Sequence, residues 1–593
     1  MKRDLKSFIC FSLFTFHFLL LVAQNGWVMG RFGMGSGEAN SVAIDNNGNI
    51  FLSGYFSLTN SNELSFGPYN VYNNNRNIED AFIAKYDQYG NIQWARQTIC
   101  SGAVSLNPEG FRTSLDKMGN AYLMANFSDS MKVPPYLLNT PSYNSVMYLV
   151  KYDPNGNVVW ARQSYVPVID TGGAAGNYIC TGVNGDSYIT GLFAPISIFG
   201  KDTIRGNLNG NAFLVKYDAN GNEKWVKATW TKSNACGAQG EGASLDRYGN
   251  VYITGSFTDT VAFGTDTLKG AYQNGRGADD FFIAKYDSIG NMKWIRRDKL
   301  PSVFCYGLGQ GVTCDQGGNV YVIGNFMDTL ILDKDTLISS CYTIFNHDLN
   351  HTNFFIAKYD SAGNLKWAIQ DNTPVKYGTS AWGISSDTMG HIYVSANVGI
   401  RDTCTVTIGN DTLKTKIGAG GDAPGILLKL DTAGHLLCSS MFPYAGAEWN
   451  CVASDPTGNY VYYGGTLITQ AIFGPDTINP SAHGYVPLLA RWQECEPTLS
   501  ITEIKEKSTE VRVYPNPNNG RFTMLLSNIN VVCNVEVYNV LGKKVYTETL
   551  QQSQINSINL TGQPNGVYFY RVITETGNLV GEGKIIIQYY CPQ

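Results

Sequence analysis

Charged residues are scarce in this sequence, and they do not gather into runs of one sign. Of the 593 residues, 15% are Asp, Glu, Lys or Arg, and the net charge is −5, whereas a typical globular chain has about 25% charged residues. Nucleic-acid-binding proteins show a basic run or patch, so nucleic acid is not an expected partner. Gly, Asn, Ser, Thr and Tyr are common instead, which is typical of many strands joined by tight turns.

Long apolar runs are absent as well, except at the N-terminus. There Lys2, Arg3 and Lys6 precede an apolar stretch over residues 8–20. This pattern predicts a secretory signal peptide over residues 1–23, because the stretch is too short and wrongly flanked for a spanning helix. Since no later run approaches about 18 apolar residues, we predict no transmembrane segment.

Compact catalytic and metal-binding motifs are also missing. The sequence contains no G-x-S-x-G nucleophile elbow, no phosphate-binding loop and no C-x-x-C pair of the kind found in zinc ribbons. Cys10 lies in the predicted signal peptide, so twelve of the thirteen cysteines follow it. Export permits disulfides, but the irregular spacings assign no pairs, and core thiols and a few bridges both stay open.

Two histidines four residues apart, His347 and His351, come nearest to a metal motif. The zinc-protease pattern needs a Glu between them and a third ligand, whereas Asp348 follows His347 here, so a polar surface loop is favoured. His391 and His435 replace the Asn of a recurring G-N turn and are predicted to be turn residues. We therefore predict no metal site, no cofactor and no catalytic residue.

The dominant feature of the sequence is an internal repeat of about 70 residues. One half of each repeat reads D-x-x-G-N-x-Y-x-x-G-x-F, strictly or loosely, in seven copies. The other half reads F-I-A-K-Y-D-x-x-G-N-x-x-W in six copies, the sixth ending in Cys438 instead of Trp, and a seventh copy stops at residues 488–493. The turn glycines of the first half are Gly48, Gly119, Gly185, Gly249, Gly318, Gly390 and Gly458.

Each half repeat is predicted to be a β-hairpin. Alternating apolar residues indicate strands, and D-x-x-G-N is turn chemistry, because Asp bonds to the turn backbone and Gly adopts positive φ. A calcium loop is not favoured, since an EF-type loop places its Gly later and needs a Glu further on. Two hairpins give four strands, and four-stranded sheets repeated radially form the blades of a β-propeller.

The incomplete seventh repeat suggests how such a ring closes. It lacks its last strand, while the expected mature N-terminus, QNGWVMGRFG over residues 24–33, supplies a Trp without a preceding hairpin partner. Trp27 precedes Asp45 by a spacing close to that of the complete repeats. We predict that residues 24–33 pair with residues 488–492 and close the ring, whereas the alternative, an open solenoid of hairpins, would leave exposed sheet edges.

The two interleaved patterns, G-N-x-Y-x-x-G and A-K-Y-D-x-x-G-N-x-x-W, resemble the bacterial β-propeller repeat family called SBBP, for seven-bladed β-propeller. The resemblance covers residues 24–494. It implies a propeller and export, and it implies no reaction. The recurring Tyr and Trp are expected to pack between blades rather than to form sugar-binding platforms, because they recur in nearly every repeat, as core positions do.

Composition changes at Cys495, and residues 495–507 are predicted to be a linker. Short alternating strands with Pro, Asn and Gly turns then predict a small β-sandwich over residues 508–593. This segment resembles the type A C-terminal sorting domain of the type IX secretion system. That resemblance implies passage across the outer membrane, removal of the domain, and release or attachment to surface lipopolysaccharide, whereas the alternative is an ordinary adhesion-type sandwich. The matching residues are Tyr514, Pro515, Asn516, Pro517, Gly520, Phe522, Gly542, Gly566, Tyr568, Arg571 and Lys584.

A further recurring pattern is Asp, then Ser or Thr, then an apolar residue. It resembles the O-glycosylation signal of bacteria that use type IX secretion. A turn encoded by the repeat, placed before an outer strand, would produce the same pattern, and both readings stay open. Its copies begin at Asp202, Asp259, Asp266, Asp328, Asp335 and Asp411.

These observations predict an all-β chain, with a seven-bladed propeller closed by an N-terminal strand and a small C-terminal β-sandwich. We expect a monomeric, secreted or surface-displayed protein that is not an enzyme and that binds surface polysaccharide or another surface protein, with residues 508–593 engaging the secretion machinery. The alternatives are a glycan lyase or hydrolase on a propeller, and a structural surface protein. Function is expected in the variable connections, which are residues 70–79, 137–146, 341–353 and 414–423.

Overall fold

The computed structural model divides into two compact units, Met1–Pro497 and Thr498–Gln593. Within the described residues the chain forms strands and turns and no helix. The described residues are 27–57, 63–73, 78–101, 111–140, 145–167, 172–231, 237–273, 276–303, 305–339, 352–373, 378–398, 405–408, 411–414, 425–442, 451–468, 470–473, 475–480, 485–493, 511–526, 532–550, 555–574 and 579–589.

The strands of the first unit follow the repeats. Before them lies β1 (Trp27–Phe32). The first repeat contains β2 (Gly37–Ile44), β3 (Ile50–Phe56), β4 (Glu63–Phe66), β5 (Tyr69–Tyr72), β6 (Asp80–Tyr86), β7 (Ile92–Gln97) and β8 (Ile99–Cys100). The second contains β9 (Arg112–Leu115), β10 (Ala121–Phe127), β11 (Ser130–Val133), β12 (Tyr136–Asn139), β13 (Val146–Tyr152) and β14 (Val158–Gln163). The third contains β15 (Ala174–Thr181), β16 (Ser187–Phe193), β17 (Ile196–Phe199), β18 (Asp202–Arg205), β19 (Asn211–Tyr217) and β20 (Glu223–Thr231).

The remaining repeats have the same plan. The fourth contains β21 (Gly237–Leu245), β22 (Val251–Thr258), β23 (Thr260–Phe263), β24 (Asp266–Lys269), β25 (Tyr272–Gln273), β26 (Arg276–Gly277), β27 (Asp279–Tyr286) and β28 (Met292–Arg297). The fifth contains β29 (Tyr306–Cys314), β30 (Val320–Met327), β31 (Thr329–Leu332), β32 (Asp335–Ile338), β33 (Asn353–Tyr359) and β34 (Leu365–Gln370). The sixth contains β35 (Thr379–Ser386), β36 (Ile392–Val398), β37 (Thr405–Ile408), β38 (Asp411–Lys414), β39 (Gly425–Leu430) and β40 (Leu436–Phe442). The seventh contains β41 (Cys451–Ser454), β42 (Tyr460–Leu467), β43 (Ala471–Phe473), β44 (Asp476–Ile478) and β45 (Val486–Gln493).

Four antiparallel strands pair in the same order in each repeat of this described part. Every second strand runs between the first and the third, and the fourth pairs with the third. In the seventh repeat the fourth place is taken by β1, which precedes the first repeat in the chain. The orders are β2-β3-β6-β7, β9-β10-β13-β14, β15-β16-β19-β20, β21-β22-β27-β28, β29-β30-β33-β34, β35-β36-β39-β40 and β41-β42-β45-β1.

Local side-chain chemistry forms the hairpin turns. Asp45 accepts hydrogen bonds at Oδ1 from the amides of Asn47 and Asn49, each at 2.9 Å, and at Oδ2 from the Asn49 side chain at 2.7 Å. Gly48 stands at φ 78°, where a Cβ is disfavoured. The D-x-x-G-N pattern therefore specifies a turn that satisfies its own polar groups.

β1 pairs with β45 in the register of an internal fourth strand. Arg31 lies opposite Leu489, Met29 lies opposite Arg491, and a bulge separates Met29 from Trp27. In the first repeat the residue in the place of Met29 is Trp94, which lies opposite Lys85. The sequence comparison that equated Trp27 with the repeat Trp was therefore wrong by two residues, because a buried Met occupies that position.

Each repeat also carries a short outer hairpin, which the predicted four-strand repeat did not include. These hairpins lie between the second and third strands, and several pair with the end of the preceding fourth strand: Thr231 lies opposite Val261, and Tyr165 opposite Ile198. Most D-[ST]-apolar copies form these hairpins; in β24, for example, Thr267 is exposed while Leu268 is buried. The repeat thus accounts for the pattern, and glycosylation of its hydroxyls stays a prediction.

A shared set of contacts joins consecutive repeats. Trp160 Nε1 and Lys151 Nζ both donate to Ala219 O in the next repeat, each at 3.1 Å. Arg162 Nε donates to Gly221 O at 2.9 Å, and a Cβ at Gly221 would come within 2.9 Å of the Trp160 ring. Trp160 of the second pattern therefore packs across repeats, against the recurrent Gly of the next repeat.

The second unit forms two antiparallel sheets around one buried core. One sheet has the order β46-β47-β50 and the other β49-β48-β51-β52. Alternate residues of the strands point inward, among them Phe522, Val535 and Tyr570. The strands are β46 (Val511–Tyr514), β47 (Arg521–Leu526), β48 (Cys533–Asn539), β49 (Lys544–Leu550), β50 (Ile555–Asn559), β51 (Gly566–Thr574) and β52 (Leu579–Ile587).

Candidate functional site

The first strands of the repeats converge within the first unit. Each first strand contacts the first strand of the next repeat, and β41 contacts β2. A bulge interrupts the pairing of β2, β15, β21, β29 and β35 at matching positions. A bulge changes the direction in which nearby side chains point. These strands can therefore direct side chains to places that a regular hydrogen-bonded ladder would not allow.

A cavity of about 50 Å³ lies among these first strands. Its lining includes Ser41, Arg112, Tyr178, Trp382 and Cys451, which come from five different repeats. Ligand pockets for whole small molecules are about 300–1,000 Å³, so this cavity has room for a small chemical group and not for a sugar ring. No carboxylate is present among the described residues that line it.

Arg112 gives the cavity its charge. Its side chain is half-buried, and its guanidinium carbon lies 5.3 Å from the centre of the Tyr178 ring. Nη1 donates to the backbone carbonyl of Asn40, while Nε is buried and has no hydrogen-bond partner. Among the described residues no Asp or Glu forms an ion pair with Arg112.

The other polar side chains near Arg112 stay neutral. Burial raises the pKa of Tyr178, and the nearby Arg112 cation lowers it in part. Burial also raises the pKa of Cys451 to about 12, again opposed by Arg112. Neither group becomes an anion at neutral pH, so neither compensates the arginine charge. Asn40 is fully buried next to this site, and both polar atoms of its side chain lack partners.

Pairing of the first and second strands places Arg112 opposite Met124. Small or neutral residues occupy the equivalent position in the other repeats, namely Ser41, Tyr178, Gly242, Gly311, Gly383 and Cys451. Sequence analysis missed Arg112 because no local motif surrounds it. An alignment of the seven first strands, with a charged residue in one copy only, would have supplied the signal.

Two buried carboxyls elsewhere are potential acids or bases, and the structure gives both of them structural partners. Asp80 is buried and accepts the Cys100 amide at 2.7 Å. Asp371 is fully buried and accepts the Phe354 amide at 2.8 Å and the Thr379 hydroxyl at 2.5 Å. Both carboxylates connect the third or fourth strand of a repeat to a neighbouring segment by hydrogen bonds, and neither lines the cavity.

Replacing Asp80 with Asn is expected to change how stability depends on pH. Burial raises the pKa of Asp80 to about 7, against the lowering effect of the Cys100 amide. A carboxyl whose pKa is higher in the folded state contributes stability that is present below about pH 4 and is lost as the pH rises through about 7. Asp80→Asn should remove this pH-dependent loss of stability. The free energy of unfolding at alkaline pH should therefore rise by up to about 4 kcal/mol. Urea unfolding of both proteins at about pH 5 and about pH 8 checks this, and parallel pH profiles would contradict it.

The histidines identified in the sequence fall into two groups. His391 Nδ1 lies 2.8 Å from Asp387 Oδ2, and His435 Nδ1 lies 2.9 Å from Asp431 Oδ2, so both act as the turn Asn does elsewhere. His347 and His351 lie outside the described residues. Within the described part of the chain no cluster of three or more His, Cys, Asp or Glu side chains is arranged to hold a metal.

The four variable connections lie largely outside the described residues, so the expectation that they carry function stays a prediction. Residues 74–77, 141–144, 341–351 and 415–423 of these connections lie outside the described residues. Seven of the cysteines lie in described segments, and Cys180, Cys305, Cys314 and Cys451 among them are free thiols. A search of the described residues for a helix long and apolar enough to span a membrane found none.

Comparison with known families identifies the tail. Residues 512–588 match the family model of the Secretion system C-terminal sorting domain. The predicted sorting domain is thus confirmed. It indicates export through the type IX secretion system to the cell surface or the extracellular space.

Two curated proteins are similar to parts of the chain. One is an uncharacterized WD repeat-containing protein of Acanthamoeba polyphaga mimivirus, 23% identical over 437 residues, which covers 62% of this chain and 30% of the relative. The other is the ulvan lyase NLR42 of Nonlabens ulvanivorans, 33% identical over 98 residues, which covers 16% of this chain and 18% of the relative. The chain therefore matches less than a third of the length of each relative.

Among solved structures, the chain is similar to an ulvan lyase described as a new family of polysaccharide lyase. The identity is 11%, the match covers 78% of this chain and 97% of that structure, and the TM-score is 0.35. At that TM-score the likeness carries no argument by itself. The curated ulvan lyase contradicts the prediction that this chain is not an enzyme. That prediction was wrong because it rested on the absence of local catalytic motifs.

Proposed function

We propose that this exported protein is a glycan-active enzyme of the lyase class, acting on an acidic polysaccharide. The observation that carries the proposal is the similarity to a curated ulvan lyase at 33% identity. Export supports it, because polysaccharides that are too large to enter a cell must be cleaved outside it. The sequence-based expectation of a purely binding surface protein gives way to this enzyme.

We propose that residues 24–494 form a closed seven-bladed propeller of the SBBP type. The repeated four-strand order, the contacts from each first strand to the next and the contact between β41 and β2 support this architecture. The pairing of β1 with β45 supports closure by the N-terminal strand. In this arrangement the cavity lies on the central axis, where residues from many repeats meet.

The export signals are proposed to flank the propeller. Residues 1–23 are a signal peptide that is removed, residues 495–507 are a linker, and residues 508–593 engage the type IX machinery. The match over residues 512–588 supports the last assignment.

The chemistry of the cavity favours elimination over hydrolysis. Glycoside hydrolysis commonly uses two carboxylates on either side of the scissile bond, whereas the described lining offers a guanidinium and a phenol and no carboxylate. In elimination, a base removes the proton next to the carboxylate of a uronic acid. The bond to the bridging oxygen then breaks, its electron pair leaves with that oxygen, which takes up a proton, and a carbon–carbon double bond remains. A cation that neutralises the uronate carboxylate stabilises the developing negative charge.

Incubation of the exported full chain with a panel of polysaccharides tests the proposal. Acidic polysaccharides that contain uronic acid are expected to be shortened, with a rise in the ultraviolet absorbance of unsaturated uronate, while neutral polysaccharides stay intact. A chain heated until it unfolds serves as the control for contaminating activity. Binding of an acidic polysaccharide without any shortening would overturn the enzyme assignment.

A further inference from the structure

The cavity is lined by a half-buried arginine that forms no ion pair with a carboxylate of the described residues. Placing an arginine away from water is unfavourable unless it is paired and its donors are satisfied. Arg112 contacts one backbone carbonyl oxygen and the face of one aromatic ring, and its buried Nε donor has no hydrogen-bond partner. The thiol and phenol beside it remain protonated, as described above.

A neighbouring side chain also has polar atoms without hydrogen-bond partners. Both polar atoms of the fully buried Asn40 side chain lack partners. Asn40 is the residue whose backbone carbonyl Arg112 contacts, so the unpaired amide and the unpaired guanidinium donor belong to one small region. Unsatisfied buried groups of this kind are rare in native proteins and call for an explanation.

The geometry points to an oxyanion-binding site in this cavity: we propose that Arg112 receives a carboxylate or sulfate group of the acidic glycan. Guanidinium groups bind planar and tetrahedral oxyanions through paired hydrogen bonds. The cavity of about 50 Å³ fits one such group and excludes the ring that carries it. The inference deepens the proposed function and rests on it for the identity of the glycan.

The neighbouring aromatic residues suit the ring that would remain outside. Tyr178 and Trp382 both line the cavity and are partly exposed. Aromatic side chains offer a flat apolar surface with a polar handle. An anionic group held at Arg112 would therefore leave its sugar against these two side chains.

Thermal unfolding of the full chain with glucuronate, with sulfate and with chloride at equal ionic strength tests the site. A ligand that binds the folded state raises the unfolding midpoint, so glucuronate, sulfate or both should raise it above chloride. A rise with glucuronate alone identifies a carboxylate site. Because sulfate also stabilises folded proteins by exclusion from their surface, a rise with sulfate alone identifies a sulfate site only where Arg112→Gln loses it. The absence of any rise in the wild-type chain would overturn the proposal without reference to a variant.

Arg112→Gln is expected to weaken, by about tenfold or more, the binding of the anion that raises the unfolding midpoint. Arg247→Gln is the matched control, because Arg247 lies 4.7 Å from the ring centre of an exposed tyrosine, Tyr248, and does not line the cavity. If Arg112→Gln does not fold, Arg112→Lys keeps the charge and should retain weakened binding. Equal binding by the wild-type and Arg112→Gln chains would overturn the site.

The outcomes separate the site from the proposed function. Oxyanion binding that depends on Arg112, without cleavage of any acidic polysaccharide, supports the site and overturns the enzyme. Cleavage that is unchanged in Arg112→Gln supports the enzyme and overturns the site.

Discussion

Deletion of residues 24–33 is expected to abolish cooperative unfolding of the first unit. Trp27 and Met29 are buried, and Trp27 packs edge-on against Phe473 with ring centres 5.7 Å apart. Removing large buried side chains costs about 2–5 kcal/mol each, and the whole stability of a domain is about 5–15 kcal/mol. The deletion also leaves β45 with an unpaired edge that invites aggregation. Urea unfolding and size-exclusion chromatography check this.

The same segment moved to the other end of the first unit is the matched control. Residues 24–33 would be placed after Gln493 and joined by a copy of the turn at residues 153–157. Because β1 pairs with β45 as an internal fourth strand does, the moved strand should restore the unfolding midpoint. Arg31 would again donate to Gly90 O, and it would keep its ion pair with Asp476 at 2.8 Å. A deletion variant that unfolds like the wild type would contradict the proposed closure of the ring by β1.

Trp160→Ala is expected to lower the free energy of unfolding by about 3–5 kcal/mol. Trp160 is 5% exposed, donates a hydrogen bond to the next repeat and packs on Gly221. Its loss leaves a cavity at the junction of two repeats and removes one of the two hydrogen bonds that Ala219 O accepts, the other coming from Lys151. Urea unfolding of the full chain measures the change.

Trp230→Ala is the control for this substitution. Trp230 is 58% exposed, and surface substitutions away from special features change stability by about 0.5 kcal/mol or less. Equal losses for Trp160→Ala and Trp230→Ala would show that the junction contacts do not hold the repeats together.

The strands and turns of the first unit could be read from the sequence because their chemistry is local. Most turns satisfy their polar groups with their own Asp and Asn, as Asp45 and Asn49 do. The outer hairpins were missed because each strand is only three or four residues long and has too few alternating positions to recognise. The register of β1 was misjudged because the number of residues between two motifs does not show that Met29 can take the place of a Trp.

The candidate site could not be read from the sequence because no single segment contains it. Arg112, Tyr178 and Trp382 belong to different repeats and meet only when their first strands converge. A search for motifs finds residues that are close along the chain, whereas repeat proteins assemble sites from residues that are far apart. The same limitation led to the wrong prediction of a non-enzyme.

The masses of the products released from a uronic-acid polysaccharide test whether this chain cleaves by elimination. Elimination leaves a double bond at the new non-reducing end, so each such fragment should be lighter by one water than the corresponding hydrolysis product. We expect these lighter fragments with the wild-type chain. Fragments of full hydrated mass, or no fragments while the polysaccharide stays bound, would contradict this expectation.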